Sequence, residues 1–117
     1  MRKISTHVLD VASGCPAEGM AVELFRIGEG GAILVGRWWT NRDGRTDEPL
    51  LVGEDVVAGR YEMFFGVGDY FRKRGVPLAE PPFLDLVSIR FGVTAGDAGY
   101  HVPLICSPWG YSTYRGS

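Results

Sequence analysis

The sequence has only two cysteines, and they are not placed to form a metal or redox motif. Cys15 and Cys106 lie far apart in the chain, with no C-x-x-C pair. Zinc sites and thiol redox centres need closely spaced ligands, so we expect two packed or partly exposed thiols and no metal centre. Spacing alone leaves open whether the two cysteines form a disulfide.

Long apolar runs and clusters of positive charge are also missing. No stretch of eighteen apolar residues is present, so we expect no membrane-spanning helix. The first residues lack the apolar run of a signal peptide, and residues 114–117 lack a peroxisomal Ser-Lys-Leu ending. We therefore expect a cytoplasmic protein. With a formal net charge of -2 and no Lys/Arg cluster, the chain gives little support for a nucleic-acid partner.

Familiar nucleotide-binding and hydrolase motifs do not occur. The chain contains no P-loop, no Rossmann fingerprint and no Gly-x-Ser-x-Gly elbow. The polar segment 40–49 holds Asp43, Asp47 and Glu48, but it lacks the alternating ligands and distal Glu of a calcium loop.

What the sequence does contain is a series of short strand-like runs separated by turn residues. At 117 residues it suits a single domain, which we place at 1–117. Val, Ile, Phe, Tyr and Trp dominate the runs, and Gly and Pro punctuate them. Such spacing favours an all-β sandwich. The predicted strands are 4–11, 20–27, 32–40, 60–67, 86–93, 99–106 and 110–114, with a further short one after Pro49.

Only the segment 68–75 looks helical. Asp69 is a candidate N-cap, cationic residues fill the last turn, and Gly75 is a natural stop. Its apolar residues are too few for a long amphipathic helix, so we expect one or two turns.

Aromatic residues are more numerous on the expected surface than a small monomer would conveniently expose. In the strand 60–67, Tyr61, Met63, Phe65 and Val67 share one face, and the aromatic Phe64 lies on the other, nominally solvent-facing one. Trp38–Trp39 and the Trp109/Tyr111 cluster add further aromatic surface. This pattern favours an oligomer with contacts between sheet faces.

Two histidines and one loop arginine are the residues best suited to chemistry. His7 and His101 are the only histidines, and each lies in a predicted strand. Histidine transfers protons near neutral pH, although a lone strand histidine is more often structural. Arg45 could hold a developing oxyanion, or it could pair with a neighbouring carboxylate. From the residues alone, an enzyme and a binding module both stay open.

Several motifs resemble the transthyretin-related family over residues 4–117. T-H-V-L-D at residues 6–10, followed by Ser13-Gly14 and Pro16-Ala17, is similar to its N-terminal signature. D-G-R-T-D at residues 43–47 resembles its middle signature. P-P-F-L-D at 81–85, Y-H-V-P-L at 100–104 and S-P-W-G-Y-S-T-Y-R-G-S at 107–117 resemble its C-terminal half. The terminal Tyr-Arg-Gly-Ser resembles the hydrolase branch rather than the hormone carriers.

The resemblance implies a fold, an assembly and a site. The fold would be the transthyretin-like (prealbumin) β-sandwich of two four-stranded sheets with one short helix at residues 69–74. The assembly would be a homotetramer, a dimer of dimers with active sites in the channel between dimers. The resemblance implies that the catalytic residues are His7, Arg45, His101 and Ser117. The residues that bind substrate would be His7, Arg45, Tyr114, Arg115 and Gly116.

The implied activity is the hydrolytic opening of 5-hydroxyisourate in urate degradation, which needs no metal or cofactor. His7 would act as base on a water molecule with help from Ser117, and His101 would protonate or hydrogen-bond the ring. Arg45 would bind substrate and hold negative charge on a carbonyl oxygen. The alternative is a transthyretin-like carrier of small molecules without catalysis.

The resemblance also makes the chain end a point of interest. A terminal carboxylate at Ser117 beside His7 would raise the pKa of that histidine. We expect the tail to be ordered, with Tyr111 and Tyr114 tying the last strand to the sheet and Arg115 pairing with a carboxylate.

Overall fold

The computed structural model describes residues 2–117 as a sandwich of two β-sheets with one short helix. The strands match the predicted ones to within one residue at each end. The first sheet has the order β2-β1-β8-β9, with β5 also paired to β1, and the second has the order β4-β3-β6-β7. The elements are β1 Lys3–Asp10, β2 Cys15–Pro16, β3 Ala21–Gly28, β4 Gly31–Trp39, β5 Leu51–Val52, β6 Gly59–Gly66, α1 Val67–Lys73, β7 Leu86–Val93, β8 Tyr100–Ser107 and β9 Gly110–Thr113.

The all-β sandwich is therefore confirmed, with small differences from the predicted strands. The first sheet has five strands instead of four, because β2 and β5 are two-residue strands that each pair with one end of β1. Cys15 lies outside the predicted strands, but in the structure it belongs to β2 and pairs with Asp10 of β1. A 3-10 turn at Gly53–Asp55 was not predicted. Within residues 2–117, no helix is long and apolar enough to cross a membrane.

Strand alternation decides which side chains enter the core. Along β1, Ile4, Thr6 and Val8 are buried, while the residues between them are half-buried on the outer face. Along β6, Tyr61, Met63 and Phe65 are fully buried, as their shared face predicted. The core lies between the sheets because both inner faces carry apolar side chains at every second position.

The predicted helix is present, but Asp69 does not cap it. The helix Val67–Lys73 begins after Gly66, which makes no side-chain capping bond. Asp69 lies inside the first turn, and its Oδ1 accepts a hydrogen bond from Arg72 Nη1 at 2.8 Å. Tyr70 anchors the helix to the first sheet, because its hydroxyl donates to the buried Oδ2 of Asp10 at 2.8 Å.

The aromatic surface is only partly where the sequence placed it. Trp39 and Trp109 are exposed, at 60% and 64% of their surface. Trp38, in contrast, packs against the core because it faces Val22 across the β3–β4 pair. Both cysteines are free thiols, with Cys106 buried and Cys15 half-buried, so they form no disulfide.

The turn at residues 41–45 is fastened to strand β1 by backbone hydrogen bonding. The Val8 N–H donates to the Gly44 carbonyl at 2.8 Å, and the side-chain oxygen of Asn41 accepts bonds from the N–H groups of Asp43 and Arg45 at 2.9 and 3.2 Å. Gly44 has φ +75, and a Cβ there would overlap the Val8 carbonyl oxygen. Only glycine fits this close crossing, which fixes where Arg45 lies.

We expect Gly44→Ala to destabilise the fold and displace this turn. The substitution combines a left-handed φ with a backbone collision, so the free energy of unfolding should fall by about 1–3 kcal/mol. Urea unfolding would measure the change. Gly30→Ala is the matched control, because a Cβ there meets nothing within 4 Å and its φ is not positive. Equal stability of the two variants would contradict the prediction.

Candidate active site

The register of two strands brings the histidines together on the outer face of the first sheet. Strands β1 and β8 run parallel, with Ser5 opposite His101 and His7 opposite Pro103. His7 and His101 are therefore diagonal neighbours on the same face, although 94 positions separate them in the chain. This confirms that the two histidines meet in space, which their positions in the sequence could not show.

Arg45 joins the histidines from the turn above β1. It shares a cavity of about 420 Å³ with both rings, and no carboxylate within residues 2–117 forms a salt bridge with it. The structural alternative for this arginine, a salt bridge to Asp43, Asp47 or Glu48, is thus wrong. The cavity is mainly polar, and its lining residues are Lys3, Ser5, His7, Arg45, His101, Tyr114, Gly116 and Ser117.

Two of the lining residues, Lys3 and Ser5, were not among the candidates from the sequence. Both precede His7 in β1 at steps of two residues. Side chains at such steps share one face of a strand, so the period of β1 could have identified them. They add a second cation and a hydroxyl to the site.

The ring of His101 is held on two sides. Its Nδ1 lies 2.9 Å from the hydroxyl oxygen of Ser5. On the other side, the Gly116 N–H donates to the His101 carbonyl at 2.8 Å, and an added Cβ at Gly116 would lie 2.5 Å from the ring Cδ2. Nε2 and Cε1 are the ring atoms that these neighbours leave free.

The tail is attached differently from the way the sequence suggested. Arg115 forms no carboxylate pair among the described residues; its guanidinium donates to the Gly99 carbonyl at 3.1 Å and lies 4.4 Å from the centre of the Tyr100 ring. Tyr111 and Tyr114 are exposed. The attachment comes instead from the Gly116 backbone and from Thr113, whose hydroxyl donates to the Pro103 carbonyl at 2.7 Å.

Both histidines are kept in their neutral form. Burial and then the positive charge of Arg45 lower the pKa of His7, while the backbone and carboxylate of Asp43 act in the opposite direction. Burial, Arg45, His7 and Lys3 lower the pKa of His101. The expected rise in the pKa of His7 from a terminal carboxylate is therefore wrong. A neutral imidazole can accept a proton from water, so this environment suits a general base.

We expect Arg45→Gln to raise the pKa of both histidines, because removing a nearby cation makes protonation of each ring easier. In the native protein the rate should fall only as the pH drops through the lowered pKa values, below the range of an ordinary histidine. NMR titration of the two rings would measure the shift directly. Arg42→Gln is the control, since Arg42 is exposed in the same turn and does not line the cavity. Identical titration curves for the native protein and Arg45→Gln would contradict the prediction.

Two neutral imidazoles, a guanidinium and a water-accessible cavity form a site for proton transfer and oxyanion stabilisation. Among residues 2–117, no group of three or more His, Cys, Asp or Glu side chains could hold a metal ion.

Comparison with known proteins identifies the family of the chain. The profile of the HIUase/Transthyretin family matches residues 4–116. The chain belongs to this family. One relative is the 5-hydroxyisourate hydrolase of Pseudomonas aeruginosa, which is 52% identical over 117 residues, covering 100% of this chain and 93% of the relative.

Solved structures place the chain within the fold of the HIUase/Transthyretin family. An (S)-allantoin synthase is 45% identical with a TM-score of 0.93; the match covers 99% of this chain but only 44% of that protein. Sea bream transthyretin, solved in complex with thyroxine, has a TM-score of 0.87 at 22% identity and covers 97% of this chain and 94% of its own. The transthyretin likeness shows the fold alone, whereas the 5-hydroxyisourate hydrolases at about 50% identity over nearly the whole chain show an enzyme of this type.

Proposed function

We propose that the chain is a hydrolase that opens 5-hydroxyisourate to 2-oxo-4-hydroxy-4-carboxy-5-ureidoimidazoline in urate degradation. The observation that supports this best is the convergence of His7, Arg45 and His101 on one polar cavity. The chain is 52% identical over its full length to a 5-hydroxyisourate hydrolase, and this relative indicates the substrate. The site and the relative therefore point to the same reaction.

The proposed roles follow from the position and charge of each residue. His7 removes a proton from water, whose oxygen then attacks a ring carbonyl carbon. Arg45 stabilises the negative charge that develops on the carbonyl oxygen. The C–N bond then breaks, and the leaving nitrogen receives a proton.

The remaining site residues hold the substrate and the wall of the cavity. Tyr114, Gly116 and Ser117 lie beside the histidines along the cavity wall, where they would contact substrate. Ser117 would also help His7 to orient the water. Arg115 does not line the cavity, and we propose that it supports substrate binding through its hold on the tail.

A carrier without catalysis is the competing function, and the cost of the site argues against it. A binding channel that removed two imidazoles and a guanidinium from water without using them in chemistry would cost free energy that an apolar channel avoids. An absorbance assay separates the two functions: urate oxidase generates 5-hydroxyisourate, and its decay is followed with and without this protein. Faster decay supports the hydrolase, whereas an unchanged decay with saturable binding supports the carrier.

We further propose that residues 1–117 form one domain that assembles as a homotetramer, a dimer of dimers. The site lies on an open sheet face. Elsewhere on the surface, Tyr111 is exposed in the edge strand β9 and Trp109 is exposed just before this strand. Such surface is typical of an oligomer interface. Light scattering should give four times the mass of the chain, and a stable, fully active monomer would contradict the proposal. A cytoplasmic location stays a prediction from the sequence.

A further inference from the structure

Ser5 is the one side chain that forms a hydrogen bond with either catalytic histidine within the described part of the chain. It lies directly opposite His101 in the β1–β8 register, and its hydroxyl oxygen is 2.9 Å from His101 Nδ1. Both residues are half-buried on the outer face of the first sheet. The distance is ordinary for a hydrogen bond between a hydroxyl oxygen and a nitrogen, so the pair forms a well-defined contact.

The direction of this hydrogen bond follows from the number of available protons. A neutral imidazole carries one N–H, on either Nδ1 or Nε2. Within residues 2–117, the Ser5 hydroxyl has no acceptor other than His101 Nδ1. If Nδ1 carried the hydrogen, the half-buried hydroxyl would lose its one protein acceptor, and only water in the cavity could replace it. The favoured arrangement has Ser5 donating to Nδ1 and the ring hydrogen on Nε2.

The packing around the His101 ring determines which ring nitrogen can reach a substrate. Ser5 occupies the Nδ1 edge, and Gly116 packs so closely on the Cδ2 side that a Cβ would collide with it. His101 therefore has little freedom to turn, and Nε2 is the ring nitrogen left to meet a substrate. Which nitrogen carries the proton decides whether His101 donates or accepts there.

We propose that Ser5 is a positioning residue that fixes His101 as the Nε2–H tautomer, so that His101 donates a hydrogen bond to the substrate and His7 alone acts as base. This rests on the hydrolase function proposed above. The proton balance is complete without transfer through His101: water gives a proton to His7 as the C–O bond forms, and His7 returns it to the nitrogen as the C–N bond breaks. His101 stabilises charge on the substrate without gaining or losing a proton.

The tautomer can be tested without any assay of activity. The chain has only two histidines, so imidazole ¹⁵N NMR of untagged protein shows two rings, and His7→Gln identifies that of His101. We expect an unprotonated-type shift at Nδ1 and a protonated-type shift at Nε2 of His101. A protonated Nδ1 in the native protein would overturn the proposal.

Kinetics of Ser5 variants provide the second readout. Ser5→Ala should mix the two tautomers and lower kcat roughly 10- to 100-fold with little change in KM, because it loosens one reacting group. Ser5→Thr keeps the hydroxyl and should restore most of the rate. Ser88→Ala is the control, because it removes an exposed strand hydroxyl from the second sheet. Native kcat in Ser5→Ala would overturn the proposal. An inactive native protein that still shows the Nε2–H tautomer would overturn the hydrolase function and leave the assigned geometry standing.

Discussion

Replacing either histidine with alanine should lower the rate of 5-hydroxyisourate opening by on the order of 10²–10⁴-fold, the usual effect of removing a proton-transfer or charge-stabilising group. Both rings line the same cavity, and each is half-buried on an outer sheet face. Neither ring belongs to the buried cluster between the sheets. The loss should therefore appear in turnover and not in folding, as steady-state rates and thermal unfolding of each variant would show.

The double variant tests whether the two histidines act as one unit. If His7 and His101 serve the same transition state, removing both should cost little more than removing the more important one. If they act independently, the two losses should multiply. A single variant with native turnover would show that its histidine takes no part in catalysis, and a lower unfolding temperature of that variant would identify the histidine as structural.

The strands could be predicted from the sequence because their inner faces are regular. In β6, Tyr61, Met63 and Phe65 alternate with residues of the other face, and the structure buries all three. The start of the helix was harder to predict. Asp69 is a residue type common at the N-cap, but its carboxylate accepts a hydrogen bond from Arg72 within the helix. The N-cap is Gly66, which has no side chain to form a capping hydrogen bond, so the sequence contains no capping signal at this position.

The site depends on topology that local sequence patterns do not contain. His7 and His101 meet only because β1 and β8 run parallel in one register, a pairing between opposite ends of the chain. Arg45 reaches them because a glycine lets its turn cross β1 closely. The resemblance to known family motifs supplied these residues, while Lys3 and Ser5 followed from the structure.

The pKa of His7 shows why the effect of charges cannot be predicted without the three-dimensional structure. From the sequence, a carboxylate at Ser117 was expected to raise it. The structure lowers it, because the ring is partly buried and Arg45 faces the same cavity. The sign of the shift depends first on how far the ring is buried and then on its distance from Arg45, and chain order contains neither.

Gly116→Ala should lower kcat by roughly 100-fold while leaving the fold intact, because a displacement of about 1 Å in a reacting group can have an effect of that size. A Cβ at this position would lie 2.5 Å from Cδ2 of His101, so the ring must move away from the tail. Gly116 pairs with His101 only through an isolated bridge, and neither residue belongs to the buried core. Thermal unfolding should therefore change little.

Gly110→Ala is the matched control for this variant. It adds the same methyl group to the edge strand β9, where the nearest atom would be the Ser107 hydroxyl oxygen at an ordinary 3.9 Å. Deleting residues 115–117 should reproduce the loss seen in Gly116→Ala, because it removes the wall behind the ring together with the Gly116 hydrogen bond. Chain ends usually fray and tolerate such deletions, so a large loss here would be specific to the site. Native turnover in the truncated protein would show that the tail takes no part in catalysis, and would leave Arg45 and the two histidines as the complete site.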